Sequence, residues 1–165
     1  MKPLLTFIAA VSEDGFISRG QGVPWKLPAD VAHFRAYTAG KWLLLGRRTY
    51  EEMLGWFHDH TPLVLSRDES FVPSVGRRVG SVEEALLLTA ADELVVCGGA
   101  QAYALALPQA DRLVLTLVQT QLGEGVPFPT ITWSQWTEVS RKPYPADAQH
   151  AHALQIVTWE RTPGA

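Results

Sequence analysis

Apolar residues in this chain fall in short unbroken runs separated by mixed segments, with little strict alternation. Residues 4–10 ("LLTFIAA"), 42–46 ("WLLLG"), 62–66 ("PLVLS"), 93–99 ("ELVVCGG") and 111–119 ("DRLVLTLVQ") form such runs. Continuous runs of this length predict strands buried on both faces. The segments between them carry helix signals. Pro28 predicts a helix over about 28–38, ended by Gly40. "RRTYEEML" begins a second helix after Gly46, and Ser81 and Glu84 have capping-box spacing for "VEEALLLTA". "AQAYALAL" predicts a helix after the glycine pair. Strand signals near 134–142 and 151–161 predict an antiparallel C-terminal hairpin with a long connection. Residues 11–24, rich in Gly, Ser and charge, predict a long loop suited to a lid.

Strands alternating with helices imply a mostly parallel sheet covered on both sides, α/β in class. Such sheets bind ligands beyond the carboxyl ends of their strands. Those ends carry Ala9, Ala10, Gly46, Arg47, Ser66, Arg67, Gly98, Gly99 and Thr116.

The length of 165 residues fits one domain, 1–165, with no repeat or low-complexity linker to divide it. A net charge of −3 argues against a nucleic-acid surface, which needs clustered cations. One cysteine, Cys97, permits no internal disulfide and suits a reducing cytosol. "MKPLLTFIAAVS" has leader-like features, but "EDG" follows at once, so it reads as a buried first strand. No run approaches the ~20 apolar residues of a membrane helix.

Three strand ends have the character of phosphate sites. "GRRT" at 46–49 opens a helix, where N–H groups and the positive dipole end meet anions. Ser66-Arg67 and the side-chain-free pair Gly98-Gly99 are the others. No G-x-G-x-x-G accompanies them. Asp30 sits early in its helix with Phe34 four residues on, beside Trp25 and Leu27. From spacing alone it serves either the helix dipole or a pocket for a flat, nitrogen-rich ring. Tyr103 suits either the crevice or the core, and Cys97 reads as a small core residue. The histidines at 58, 60, 150 and 152 lack a third ligand at metal spacing, so no metal is expected.

The motifs "IAAVSEDGFI", "PWKLPAD", "LLLGRRTYEEM", "VVCGGAQAY", "LPQADRLVLT" and "FP" at 128–129, in this order, resemble the dihydrofolate reductase family over nearly the whole chain. The resemblance implies an eight-stranded, mostly parallel twisted sheet with helices on both faces. It implies hydride transfer from NADPH to carbon 6 of 7,8-dihydrofolate, with protonation of nitrogen 5. Asp30 would hold the pterin amino group and ring nitrogen, with Thr116 bonded to that carboxylate. Trp25 would fix a water and close the pocket, and Tyr103 and Cys97 would line the nicotinamide end. Ile8, Ala9, Val31, Phe34, Met53 and His60 would complete the substrate site. Ala10, Ile17, Gly46, Arg47, Arg48, Thr49, Ser66, Arg67, Gly98, Gly99 and Gln101 would meet the cofactor. The expected partners are NADPH and a small molecule, dihydrofolate or a related pterin, bound by a cytoplasmic monomer with no nucleic acid or membrane.

The pattern departs from the family in two places. The family's arginine for the folate α-carboxylate falls at His60, and its Gly-Asp before "FP" reads Glu124-Gly125. Histidine cannot copy a bidentate guanidinium fork. "EDGFIS" also looks like the reductase domain of riboflavin synthesis. A related reductase of another pterin or of a ribosylaminopyrimidine phosphate is therefore the alternative.

Overall fold

Eight strands build the main sheet. The structure, a computed structural model, describes residues 2–18 and 25–164. In chain order its strands are β1 Leu4–Ser12, β2 Phe16–Ser18, β3 Trp42–Gly46, β4 Thr61–Leu65, β5 Arg77–Val79, β6 Glu93–Gly98, β7 Arg112–Val118, β8 Val126–Pro127, β9 Trp136–Tyr144 and β10 Leu154–Arg161. The helices are α1 Pro28–Thr38, α2 Arg47–Glu52, α3 Val82–Leu88 and α4 Ala100–Ala106.

The sheet order is β5-β4-β3-β6-β1-β7-β10-β9. All pairs from β5 to β7 are parallel, whereas β10 runs antiparallel to both β7 and β9. The unbroken apolar runs fill the middle of this sheet because both of its faces are covered. Leu44, Val96, Phe7 and Leu115 point to one side, where α3 and α4 contribute Val82, Ala85, Ala102 and Ala106. Leu43, Leu45, Val95 and Ile8 point to the other, against Phe34 and Tyr37 of α1 and Tyr50 of α2.

The local signals explain the helix ends. Pro28 is the first helical residue of α1, and the chain leaves through Gly40 at φ +70°. The Ser81 hydroxyl caps α3 by accepting the Glu84 N–H at 3.0 Å. The Glu84 carboxylate accepts the N–H of Gly80 at 2.6 Å, one residue earlier than a capping box predicts.

Some boundaries differ from the sequence reading. The first strand extends past Ala10 to Ser12, and β2 lies inside the expected loop 11–24. β2 and β8 form a separate antiparallel ribbon, pairing Phe16 with Pro127. Residues 19–24 of that loop lie outside the described residues. The helix after Gly46 stops at Glu52, because the chain turns at Met53 and passes Gly55 at φ +90°. β5 was not expected: three residues at the sheet edge, two of them arginines, leave almost no apolar run to detect. The tail strands begin two or three residues later than predicted.

Candidate active site

The carboxyl ends of β1, β3, β4 and β6 and the first turns of α1, α2 and α4 surround one cavity of about 1020 Å³. Its two ends differ in chemistry.

At one end stands Asp30. Its carboxylate accepts the Thr116 hydroxyl at 2.6 Å, across from α1 to β7. Burial raises the Asp30 carboxyl above the usual range, while Thr116 and the nearby His33 partly offset this. Ile8, Ala9, Trp25, Val31, Phe34 and Met53 line the same end. Trp25 Nε1 is buried with no partner among the described residues, so a donor stands ready for a ligand or a water. Such an acid on an apolar wall is poised to pair with the N–H groups of a flat heterocycle.

Farther out, the wall continues through Arg35 and Trp56. Trp56 packs on Phe34 with ring centroids 5.3 Å apart. The Trp56 role went undetected in the sequence, where "GWFHDH" offers no periodic signal. His60 is not among the lining residues. Its ring stacks on Trp56 at 4.3 Å, and its Nδ1 accepts the His58 N–H at 3.1 Å. Burial pushes the His60 imidazole toward its neutral form. Thr116 also lies off the lining, acting on the cavity through Asp30.

Away from Asp30 the wall carries Gly46, Arg47, Arg48, Thr49, Ser66, Arg67, Gly98, Gly99 and Gln101, and Ala10, Ile17, Cys97 and Tyr103 line the cavity as well. α2 and α4 begin there with Gly46 and Gly99 as N-caps, neither offering a side-chain acceptor. Helix starts without a side-chain cap favour an anion. The glycine pair is required by space and conformation. Gly98 has φ +131°, and a Cβ on Gly99 would stand 3.2 Å from Thr49 Oγ1. Arg47 is pinned by Glu51 at 2.9 Å and Asp68 at 3.2 Å, with its guanidinium over Phe71. Arg48 pairs with Glu52 at 3.5 Å.

The two ends meet at β1. The Tyr103 hydroxyl donates to the Ile8 carbonyl at 2.6 Å and is buried, which pushes its pKa far up. It ties α4 to β1. Burial likewise raises the Cys97 thiol, which suits a core residue better than a nucleophile.

An acid that the sequence reading did not single out ties the ribbon beside the cavity. Asp14, in the turn before β2, accepts the N–H groups of Leu122 at 3.0 Å and Gly123 at 2.7 Å.

A family model described as dihydrofolate reductase matches residues 4–161. Dihydrofolate reductase type 3 of Salmonella typhimurium is 38% identical over 159 residues, covering 96% of this chain and 98% of that one. Dihydrofolate reductase of Mycobacterium tuberculosis is 41% identical over 122 residues, 72% of this chain and 74% of its own. A solved Enterococcus faecalis dihydrofolate reductase, complexed with NADP(H) and RAB-propyl, superposes with a TM-score of 0.87 at 29% identity, covering 98% of this chain and 99% of that one. With the match running from the first strand to the last, this chain belongs to the dihydrofolate reductase family.

Proposed function

We propose that this protein reduces 7,8-dihydrofolate to 5,6,7,8-tetrahydrofolate with NADPH, by hydride transfer to C6 and protonation of N5. The observation that carries the proposal is the shared cavity. A buried carboxylate held by Thr116 stands at one end, and a glycine-pair cradle flanked by two uncapped helix starts stands at the other.

The residues fit the cofactor. Gly98 and Gly99 leave the space that a Cβ would fill, and Thr49, Ser66, Arg67 and Gln101 stand round the phosphate end. NADPH, when bound there, supplies the hydride. Asp30 accepts hydrogen bonds from the pterin amino group and ring nitrogen and orients the ring. Its negative charge raises the proton affinity of the bound heterocycle, which favours the protonated acceptor. Trp25 Nε1 donates to a water at the pocket mouth. Val31, Phe34 and Met53 pack on the ring and its benzoyl group and exclude solvent. Ala10 and Ile17 would hold the nicotinamide amide, and Tyr103 and Cys97 would close that part of the cavity.

In this proposal residues 1–165 act as one domain and a cytoplasmic monomer that binds small molecules and no nucleic acid. The single cysteine and the net charge of −3 support the compartment and the lack of nucleic acid. A second reading, reduction of another pterin or of a ribosylaminopyrimidine phosphate, is favoured by the placement of His60. With His60 stacked on Trp56, Arg35 is the cation at the substrate end among the described residues.

A substrate panel tests both. NADPH oxidation that depends on dihydrofolate supports the first. Turnover of a free pterin or a ribosylaminouracil phosphate, with none of dihydrofolate, selects the second.

A further inference from the structure

The catalytic helix begins without a cap of its own. Leu27, the N-cap of α1, has no side chain that can accept a hydrogen bond, and Pro28 at the next position has no N–H. The first backbone donor of the helix is Ala29, immediately before Asp30. Its partner lies 121 residues away: the Ala29 N–H donates to His150 Nε2 at 3.0 Å.

His150 sits in the connection between β9 and β10, with its residue only 8% exposed. The other ring nitrogen, Nδ1, lies 2.8 Å from an Asp147 carboxylate oxygen. That oxygen also accepts the N–H groups of Gln149 at 2.9 Å and His150 at 2.8 Å, which holds it in place. These partners settle the tautomer. A peptide N–H can only donate, so Nε2 must be the acceptor. With Nε2 accepting, the hydrogen of the ring is on Nδ1, which directs it at the Asp147 oxygen.

The same hairpin also packs against the chain just before this bond. Leu27 packs in a cluster with Val118, Leu154 and Ile156. Ile156 is the β10 partner of Thr116, whose hydroxyl holds the Asp30 carboxylate. The backbone beside Asp30 is therefore tied to the β9–β10 connection through Ala29, and its side chain to Thr116 on β7, the strand that pairs with β10.

We propose that His150 is a positioning residue for Asp30. As a neutral imidazole oriented by Asp147, it caps α1 from outside the helix and sets where the carboxylate stands in the cavity. For catalysis this rests on the dihydrofolate reductase reading above, whereas the cap itself does not.

The test compares His150→Leu with His150→Gln in the full chain. Glutamine places Oε1 where Nε2 stands, and leucine keeps bulk without an acceptor. Three quantities are measured: the single-turnover rate of dihydrofolate reduction, the affinity for NADPH, and hydrogen exchange at the Ala29 amide. Losing a cap typically changes an equilibrium by roughly 2- to 30-fold. His150→Leu should slow reduction and speed Ala29 exchange by factors in that range. NADPH affinity, set at α2 and α4, should be unchanged, and His150→Gln should restore both losses.

Equal losses in the two variants, or a parallel loss of NADPH affinity, would reduce His150 to a general stability residue and overturn the proposal. So would an Ala29 amide that exchanges equally fast in wild type and His150→Leu. If His150→Leu does not fold, Asp147→Ala releases the ring while leaving His150 in place, and the same three readouts apply. A wild-type protein inactive on dihydrofolate would sink the functional reading. The Ala29 exchange would still decide the cap.

Discussion

At the scale of single residues, Asp30 sets stability against function. Burial raises its carboxyl, so the folded chain holds this proton more tightly than the unfolded chain does. The stabilisation this gives is complete below the ordinary carboxylate range and is lost as pH rises through the raised value. At neutral pH the anion therefore destabilises the ligand-free fold. Asp30→Asn should raise the melting temperature at neutral pH and cut the dihydrofolate-dependent rate by about 100-fold or more. Thermal unfolding beside single-turnover kinetics checks this, and a lower Tm with a normal rate would contradict it. Arg35 lines the outer wall, whereas His60 does not. His60 is stacked behind Trp56 and held neutral, so it offers no charge to a substrate carboxylate. Arg35→Ala should raise the KM for dihydrofolate up to about 5-fold, the range of an exposed ion pair, and leave that for 7,8-dihydropteroate unchanged. An equal rise for both substrates would place Arg35 outside the carboxylate contact. Spacing located Asp30 and its apolar face, but it could not show that the ring of His60 turns away. That outcome depends on Trp56, whose packing on Phe34 is set by the fold and not by neighbours in sequence.

Elements explain where sequence patterns succeed and stop. β1, β3, β4, β6 and β7 were legible because a parallel strand covered on both faces must be apolar throughout. β2, β5 and β8 were not, since two or three residues of mixed character carry no period. Their pairing is set by partners distant in sequence, such as Phe16 with Pro127. The helix starts were legible from Pro28, Gly46, Ser81 and the glycine pair, whereas the α1 cap was hidden in the β9–β10 connection. Two predictions belong at this scale. Gly99→Ala would force a Cβ to within 3.2 Å of Thr49 Oγ1 at the start of α4. It should weaken NADPH binding while leaving Asp30 and its partner Thr116 undisturbed. Fluorescence titration checks this, and unaltered affinity would contradict the cradle. Asp14 ties the β2 turn to the loop before β8, and its bonds to Ser12, Gly123 and Leu122 lower its carboxyl to about 2. Its contribution is present above the unfolded value of 3.8 and is lost as pH falls through about 2. Amide exchange at Leu122 and Gly123 should stay slow down to that range and become fast at neutral pH in Asp14→Ala. Exchange unaffected by the substitution would show that the ribbon holds without this acid.

Across the whole molecule, the sheet brings together groups that lie far apart in the chain. Asp30 comes from α1, Thr116 from β7, the glycine pair from the end of β6, and the capping His150 from the C-terminal hairpin. A parallel sheet places its carboxyl ends on one side, which is why one crevice can hold both a heterocycle and a phosphorylated cofactor. The order of the motifs was visible in the sequence, and so was the crevice they share. The links across the sheet were not, because a hydrogen bond between residues 29 and 150 leaves no trace in local spacing. The account depends on a buried anion and a bound reduced nicotinamide acting on the same ring. The most direct test is single-turnover hydride transfer to dihydrofolate from NADPH and from its deuterated form, in wild type and in Asp30→Asn. The account predicts a primary isotope effect in the wild type and a rate reduced by about 100-fold or more in the variant. No dihydrofolate-dependent oxidation of NADPH, or equal rates in the two proteins, would contradict it.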